Sequence, residues 1–156
     1  MTDGPSSGSG PLQVPPERGR LVQAETLSVM ADVHIAEVRE RARTLARPLG
    51  FSPGEQAVIA AAVSEIARNL VRYAGKGTIE LRVLRLGARH GLRIIARDDG
   101  PGISNVDQAM QNGFSTSRSL GLGLPATQRV MDEFAVVSRP GAGTIVAMTK
   151  WGPEIL

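Results

Sequence analysis

The sequence predicts an α+β fold, a two-layer α/β sandwich in which a mostly antiparallel, mixed sheet is covered by helices on one face. Two observations point there directly. Helical periodicities come early and hairpin-linked strand pairs follow. A doubly wound parallel sheet would instead need strands and helices to alternate along the whole chain. A third observation sets the scale: 156 residues, 42% hydrophobic, favour one domain with one core.

Residues 1–20 (MTDGPSSGSGPLQVPPERGR) are rich in Gly, Ser and Pro without apolar periodicity, so they read as a disordered tail ahead of a domain spanning 21–156. Leu21–Met30 reads as a first strand. Asp32 is the expected N-cap of a helix to about Pro48, with Val38, Ala42, Leu45 and Leu49 as its buried stripe and Gly50 closing it. Ser52-Pro53-Gly54-Glu55 is a capping box with Pro at the first helical position. Ile59, Ala62, Val63, Ile66 and Leu70 then recur at helical spacing up to Tyr73, and Gly75 ends that helix. Strands are expected at Thr78–Leu84 and Leu92–Arg97, with a turn around Gly87–Gly91. A short helix is expected around Val106–Asn112. The run GFSTSRSLGLGL follows and opens a helix from Leu124 to Asp132. Strands Phe134–Ser138 and Thr144–Trp151 close the fold through the turn Arg139–Gly143.

Composition removes several functions. Cys is absent, so disulfides, thiolate metal sites and cysteine nucleophiles are excluded. No run approaches the roughly 18 apolar residues of a membrane span, and the polar start does not read as a signal peptide, so a cytoplasmic location is expected. The formal charge is +3, yet the basic residues are scattered and aromatics make up 3% of the chain. Nucleic-acid binding is disfavoured, since single strands need rings to stack on. The two histidines, His34 and His90, read as surface residues and are too few for a zinc cluster.

Three short motifs carry the chemistry. In Glu65-Ile66-Ala67-Arg68-Asn69 the carboxylate and carboxamide stand four residues apart, about 40° apart around a helix axis. The amide oxygen suits Mg²⁺, and the carboxylate suits proton removal from a hydroxyl attacking a phosphoryl group. Alone, the pair is better explained as a solvated face with Glu65 bonded to Arg68 or Arg72. Asp98-Asp99-Gly100-Pro101-Gly102 ends an apolar strand, where a carboxylate can accept from the adenine amine and glycines leave room for a flat ring. An ordinary turn explains it equally well. Gly121-Leu122-Gly123-Leu124 opens a helix with free N–H groups, as a phosphate cradle does. Its match to the dinucleotide fingerprint fails because no strand precedes it. Their order, with Gly143-Thr144 on the last strand, supplies metal ligand, base, adenine acceptor and phosphate cradle together, which selects ATP and Mg²⁺.

At these residues the chain resembles the GHKL (Bergerat-fold) ATPase superfamily, and within it the RsbT-type switch kinases, from about Leu27 to Trp151. The stretches SEIARNLVRYAGKG, DDGPGI, NGFSTSRSLGLGLP and RVMDEF followed by GTIVAMTKW carry the likeness. The resemblance implies Glu65 as catalytic base and Asn69 as the Mg²⁺ ligand. It implies that Asp98 holds the adenine amine, with Gly100, Gly102 and Thr144 in that pocket, and that Gly121, Leu122, Gly123 and Leu124 surround the phosphates. Arg118 stands where a lid residue would reach the γ-phosphate. Asp99 departs from the superfamily's usual Asn. The implied activity is that of a serine/threonine protein kinase in bacterial partner switching, which phosphorylates a STAS-domain antagonist and activates a PP2C-type phosphatase by binding. A sigma factor is a further candidate partner. The alternative is an anti-sigma or partner-binding module in which nucleotide only sets the shape.

Overall fold

The computed structural model describes residues 10–106, 110 and 123–155. In chain order the elements are β1 (Arg20–Val29), α1 (Asp32–Ala46), a 3-10 turn (Arg47–Leu49), α2 (Pro53–Ala74), β2 (Gly77–Leu86), β3 (Arg89–Asp98), α3 (Leu124–Val130), β4 (Glu133–Arg139) and β5 (Gly143–Glu154). The five strands form one sheet in the order β1-β2-β3-β5-β4. Every neighbouring pair is antiparallel. The mostly antiparallel sheet expected from the sequence is thus found, with no parallel pair among the described strands; the links β2–β3 and β4–β5 are tight turns, which can join only antiparallel neighbours.

Helix α2 follows its sequence signals. Ser52 accepts from the Glu55 amide while the Glu55 carboxylate accepts from the Ser52 amide, at 3.1 and 3.0 Å. The periodic residues Ile59, Ala62, Val63, Ile66 and Leu70 are all buried. They meet Ile79, Leu81, Leu92, Ile94, Val146 and Met148, the residues that alternate onto one face of the sheet. That face is the core of the sandwich, and α1 closes it beside α2. Arg41 fixes α1 to the first strand through a bidentate pair with Glu25 at 2.8 and 2.9 Å.

Several boundaries differ from the sequence expectation. Asp32 is the first helical residue of α1, not its N-cap. That place is taken by Ala31, whose backbone is extended and offers no side-chain cap. His34 Nδ1 accepts from the Met30 amide just before the helix, at 3.1 Å, so it is more than a plain surface residue. The hairpin turn is Gly87-Ala88 alone, because Arg89 and His90 pair with Leu86 and Arg85. Helix α3 stops at Val130 and the last strand runs on to Glu154. Of the short helix expected at Val106–Asn112, only Val106 and Met110 are described, joined by a Met110 N–H to Val106 carbonyl bond of 3.0 Å.

The largest departure concerns the expected tail. Residues 10–19 do not behave as a chain without fixed contacts: they cross the face of the sheet opposite the helices. Leu12 and Val14 pack on Ile95, Ile145 and Ala147, and Glu17 pairs with Arg82 at 2.6 and 2.9 Å. The composition that suggested disorder also suits an extended strap, since Pro15 and Pro16 fix φ and carry no N–H to satisfy.

Removing the α2 cap tests its share of the fold. Ser52→Ala should lower stability by about 1 kcal/mol, read as a lower urea midpoint with an unchanged slope.

Candidate functional site

A cleft of about 100 Å³, open to solvent on one side, lies between α2 and the ends of β3 and β5. That is below the usual span for small-molecule sites, roughly 300–1,000 Å³, so a ligand there would extend out through the open side. Ile66, Leu70 and Tyr73 line it from α2, and Ala96 and Val146 form its sheet floor. Pro101, Gly102 and Ile103 form one rim and Leu124 closes the other side. The walls are apolar and the polar groups few: Asn69, Asp98 and Thr144.

Asp98 is the last residue of β3 and alternates with Ile94 and Ala96 onto the helix side, facing into the cleft. Its Oδ1 accepts from the Gly100 amide at 2.8 Å, and the Thr144 amide donates to the same carboxylate. Burial pushes the Asp98 carboxyl above the ordinary aspartate range. The two amides pull the other way, and neighbouring Asp99 adds to the rise.

The loop after Asp98 is held against the β4–β5 turn by contacts that only glycine permits. Gly102 has φ +78°, and a Cβ there would stand 2.0 Å from the Arg139 carbonyl oxygen. The Gly141 amide donates to the Pro101 carbonyl at 2.8 Å. Ser138, which the sequence reading did not single out, ties these parts together. Its hydroxyl accepts from the Ile103 amide at 2.7 Å, donates to the Gly143 carbonyl at 2.8 Å and lies 2.9 Å from the Thr144 hydroxyl. The available signal was its place beside the Pro140-Gly141 turn, two residues on from Val136 on the cleft side of β4.

The second wall comes from α2. Asn69 lines the cleft, while Glu65, one turn earlier, stands at its edge. Gly123 has φ +64°, and a Cβ on it would lie 2.5 Å from the Glu65 Oε1. The glycine that opens α3 is thus in direct contact with the carboxylate. The ion pair considered for Glu65 also exists: Arg68 Nη1 lies 2.9 Å from its Oε2. With 54% of the Arg68 side chain exposed, this pair contributes little to stability. The structure therefore brings together Asn69, Asp98, Gly100, Gly102, Leu124 and Thr144, with Glu65 and Gly123 at the edge. Arg118, Gly121 and Leu122 lie outside the described residues.

The raised Asp98 carboxyl gives a signed pH effect. A group whose folded-state value is raised favours the folded state fully below the ordinary aspartate range, and that contribution is lost as pH rises through the raised value. Asp98→Asn keeps an oxygen acceptor without the buried charge. In the nucleotide-free protein it should therefore raise the thermal midpoint at neutral pH, with the gain shrinking toward acid, as followed by circular dichroism.

Comparison with known proteins bears on the whole of this region. The family model described as the histidine kinase-like ATPase domain matches residues 29–150. The serine/threonine-protein kinase RsbT of Bacillus subtilis (strain 168) is 45% identical over 123 residues, which cover 79% of this chain and 92% of that protein. The anti-sigma F factor of Caldanaerobacter subterraneus subsp. tengcongensis is 39% identical over 103 residues, 62% of this chain and 71% of that protein. That of Thermoanaerobacter sp. (strain X514) is 38% identical over the same shares. The matched range holds both walls of the cleft. As its resemblance to the GHKL superfamily led us to expect, this chain belongs to the histidine kinase-like ATPase domain family.

Proposed function

We propose that this chain is an Mg-ATP-dependent serine/threonine protein kinase of a bacterial partner-switching system. Its substrate would be a STAS-domain antagonist, and its free form would activate a PP2C-type phosphatase by binding. The observation that carries this reading is the polarity of the cleft. A desolvated carboxylate, Asp98, ends an apolar pocket, and a second carboxylate, Glu65, meets the glycine that opens α3 at the other wall. The 45% identity to a serine/threonine-protein kinase gives that polarity its chemical sense.

In this reading Asp98 accepts from the adenine amine, and the ring lies against Gly100 and Gly102, with Thr144 beside it. The backbone of Gly121, Leu122, Gly123 and Leu124 surrounds the phosphates, and Arg118 reaches the γ-phosphate from the lid. Among the described residues no group of three or more His, Asp or Glu could hold a metal alone. This fits Mg²⁺, which takes few protein oxygens and completes its shell with phosphate and water. Asn69 would be its protein ligand, and Mg²⁺ would supply positive charge against the phosphates. The partner's Ser or Thr oxygen attacks the γ-phosphorus, the bond to the β-phosphate oxygen breaks, and ADP leaves with that electron pair. Glu65 takes the hydroxyl proton. Asp99, in place of the superfamily's usual Asn, raises the Asp98 carboxyl further and so tunes nucleotide affinity.

One observation favours the other reading, a nucleotide-dependent anti-sigma or partner-binding module with little catalysis. Arg68 already holds the Glu65 carboxylate at 2.9 Å, and a base engaged in an ion pair is a poorer proton acceptor.

Transfer from radiolabelled ATP to a cognate STAS protein separates the two. Glu65→Gln should slow transfer by about 10²–10⁴-fold while calorimetry finds its ATP affinity kept. Wild-type rates in Glu65→Gln would remove the base assignment. Asn69→Ala should abolish the Mg²⁺ dependence of ATP affinity. If partner capture by Glu65→Gln still needs nucleotide although wild type transfers no phosphate, the binding-module reading stands.

A further inference from the structure

The helices cover one face of the sheet; the strap of residues 10–17 covers the other, and it is seated by side chains rather than by strand pairing. Leu12 and Val14, two residues apart in an extended segment, both turn onto Ile95, Ile145 and Ala147. The carbonyls of Pro15 and Pro16 accept from the Arg93 guanidinium at 2.5 and 3.0 Å. The Glu17 carboxylate takes Arg82 in a two-point pair, which holds its carboxyl below the ordinary glutamate range. At the other end Arg139 donates to the Gly10 carbonyl. Apolar pocket, carbonyl fork and carboxylate fork follow one another along the peptide, so the face reads a sequence, apolar-x-apolar-Pro-Pro-Glu, rather than a shape alone.

The same contacts show a seat that is not fully used. Leu12 and Val14 are partly rather than fully buried. Arg93 is buried with only 5% of its side chain exposed, yet its Nε meets no acceptor among the described residues. An unsatisfied buried donor of this kind costs on the order of 1–3 kcal/mol. Arg82 keeps a second carboxylate, Glu80 at 3.2 Å, and does not depend on Glu17 for neutralisation. The strap also lies wholly before the family-matched residues 29–150.

We propose that the open face of the sheet is a peptide-binding surface for extended segments of the form apolar-x-apolar-Pro-Pro-Glu, with residues 10–17 as its built-in, displaceable occupant. Proline suits such a ligand because it is already extended and so loses less freedom on docking. A competing segment gains over the strap by presenting an acceptor to Arg93 Nε. It must also overcome the strap's tether, which keeps the strap at an effective concentration on the order of millimolar. This inference uses the face opposite the cleft and does not depend on the nucleotide reading.

The probe is a fluorescein-labelled synthetic peptide of residues 10–19, titrated by anisotropy against full-length protein. Val14→Asp weakens the built-in strap and leaves the sheet face intact, so this variant should bind the peptide about tenfold or more tightly than wild type does. Adding Arg82→Glu should abolish that binding, and a peptide carrying Glu17→Gln should bind Val14→Asp more weakly than the parent peptide, since the carboxylate faces both Arg82 and Arg93. Adding Arg93→Met instead, which keeps the apolar stem and removes the donors, should weaken binding about tenfold. Equal affinity for wild type and Val14→Asp, no saturable binding to either, or undiminished binding of the Glu17→Gln peptide would each overturn the proposal.

Discussion

The cleft depends on one constraint: β3 ends and β5 begins where their backbones come too close for a side chain between them. A Cβ on Gly143 would stand 2.0 Å from the Asp98 carbonyl oxygen, and one on Gly102 would stand 2.0 Å from that of Arg139. The approach brings the Thr144 amide onto the Asp98 carboxylate and the Ser138 hydroxyl onto the loop that follows it. A carboxylate in an apolar pocket is costly to hold charged. The close backbone supplies the N–H groups that offset part of that cost. Were the strands to diverge by the width of a methyl group, Asp98 would lose a donor and the rim would lose its anchor to β4.

Helix α2 converts this end-on arrangement into a two-walled site. Its start is pinned by the Ser52–Glu55 box and its end by Gly75, whose φ of +83° stops the helix. Between those points the helical period leaves no freedom about what faces the sheet. Burying Ile59, Val63, Ile66 and Leu70 turns Asn69 into the cleft and leaves Glu65 at its border. Glu65 is therefore close enough to touch Gly123 and exposed enough to pair with Arg68. Both functional readings arise from that half-exposed position, and they differ only in which contact prevails when a partner arrives.

Much of this was legible in the sequence, and the rest was hidden for identifiable reasons. A capping box and an uninterrupted apolar stripe made α2 readable because both signals are local. The β2–β3 hairpin was placed, but Gly87 and Gly91 suggested a longer turn than exists. Gly91 is a strand residue, small because the Trp151 ring lies where its Cβ would be, 2.6 Å away, and such a cross-strand reason is invisible along the chain. The N-cap of α1 lies one residue earlier than Asp32 suggests, because the cap position is held by the extended backbone of Ala31 without any side-chain cap, which leaves no mark in the sequence. The site residues announced themselves through glycine and carboxylate spacing. Ser138 carried no such signal, since its importance comes from Ile103 and Gly143, which only the sheet brings to it. The strap was read as disorder because its partners, Arg82 and Arg93, are more than sixty residues away.

Strand β3 links the two surfaces, and its alternation explains how they coexist. Leu92, Ile94, Ala96 and Asp98 face the helices, and the last two line the cleft. Arg93 and Ile95 face the strap. The strand is consequently buried on both sides from Gly91 to Ala96, although a sheet edge-on to solvent would have left alternate residues exposed. Arg93 set into such a strand, with Arg82 of β2 paired beside it, is hard to reconcile with a core, but easy to reconcile with a surface that binds carbonyls and carboxylates. The period of two keeps the surfaces chemically separate, so a change at Arg93 need not touch Asp98. They meet around the β4–β5 turn, where Arg139 donates to the strap's Gly10 while its own carbonyl backs Gly102 in the rim of the cleft. Gly10, Pro11 and Leu12 also share a pocket with Asp98 and Asp99, so coupling between strap and nucleotide has a route through Arg139 and another through the end of β3.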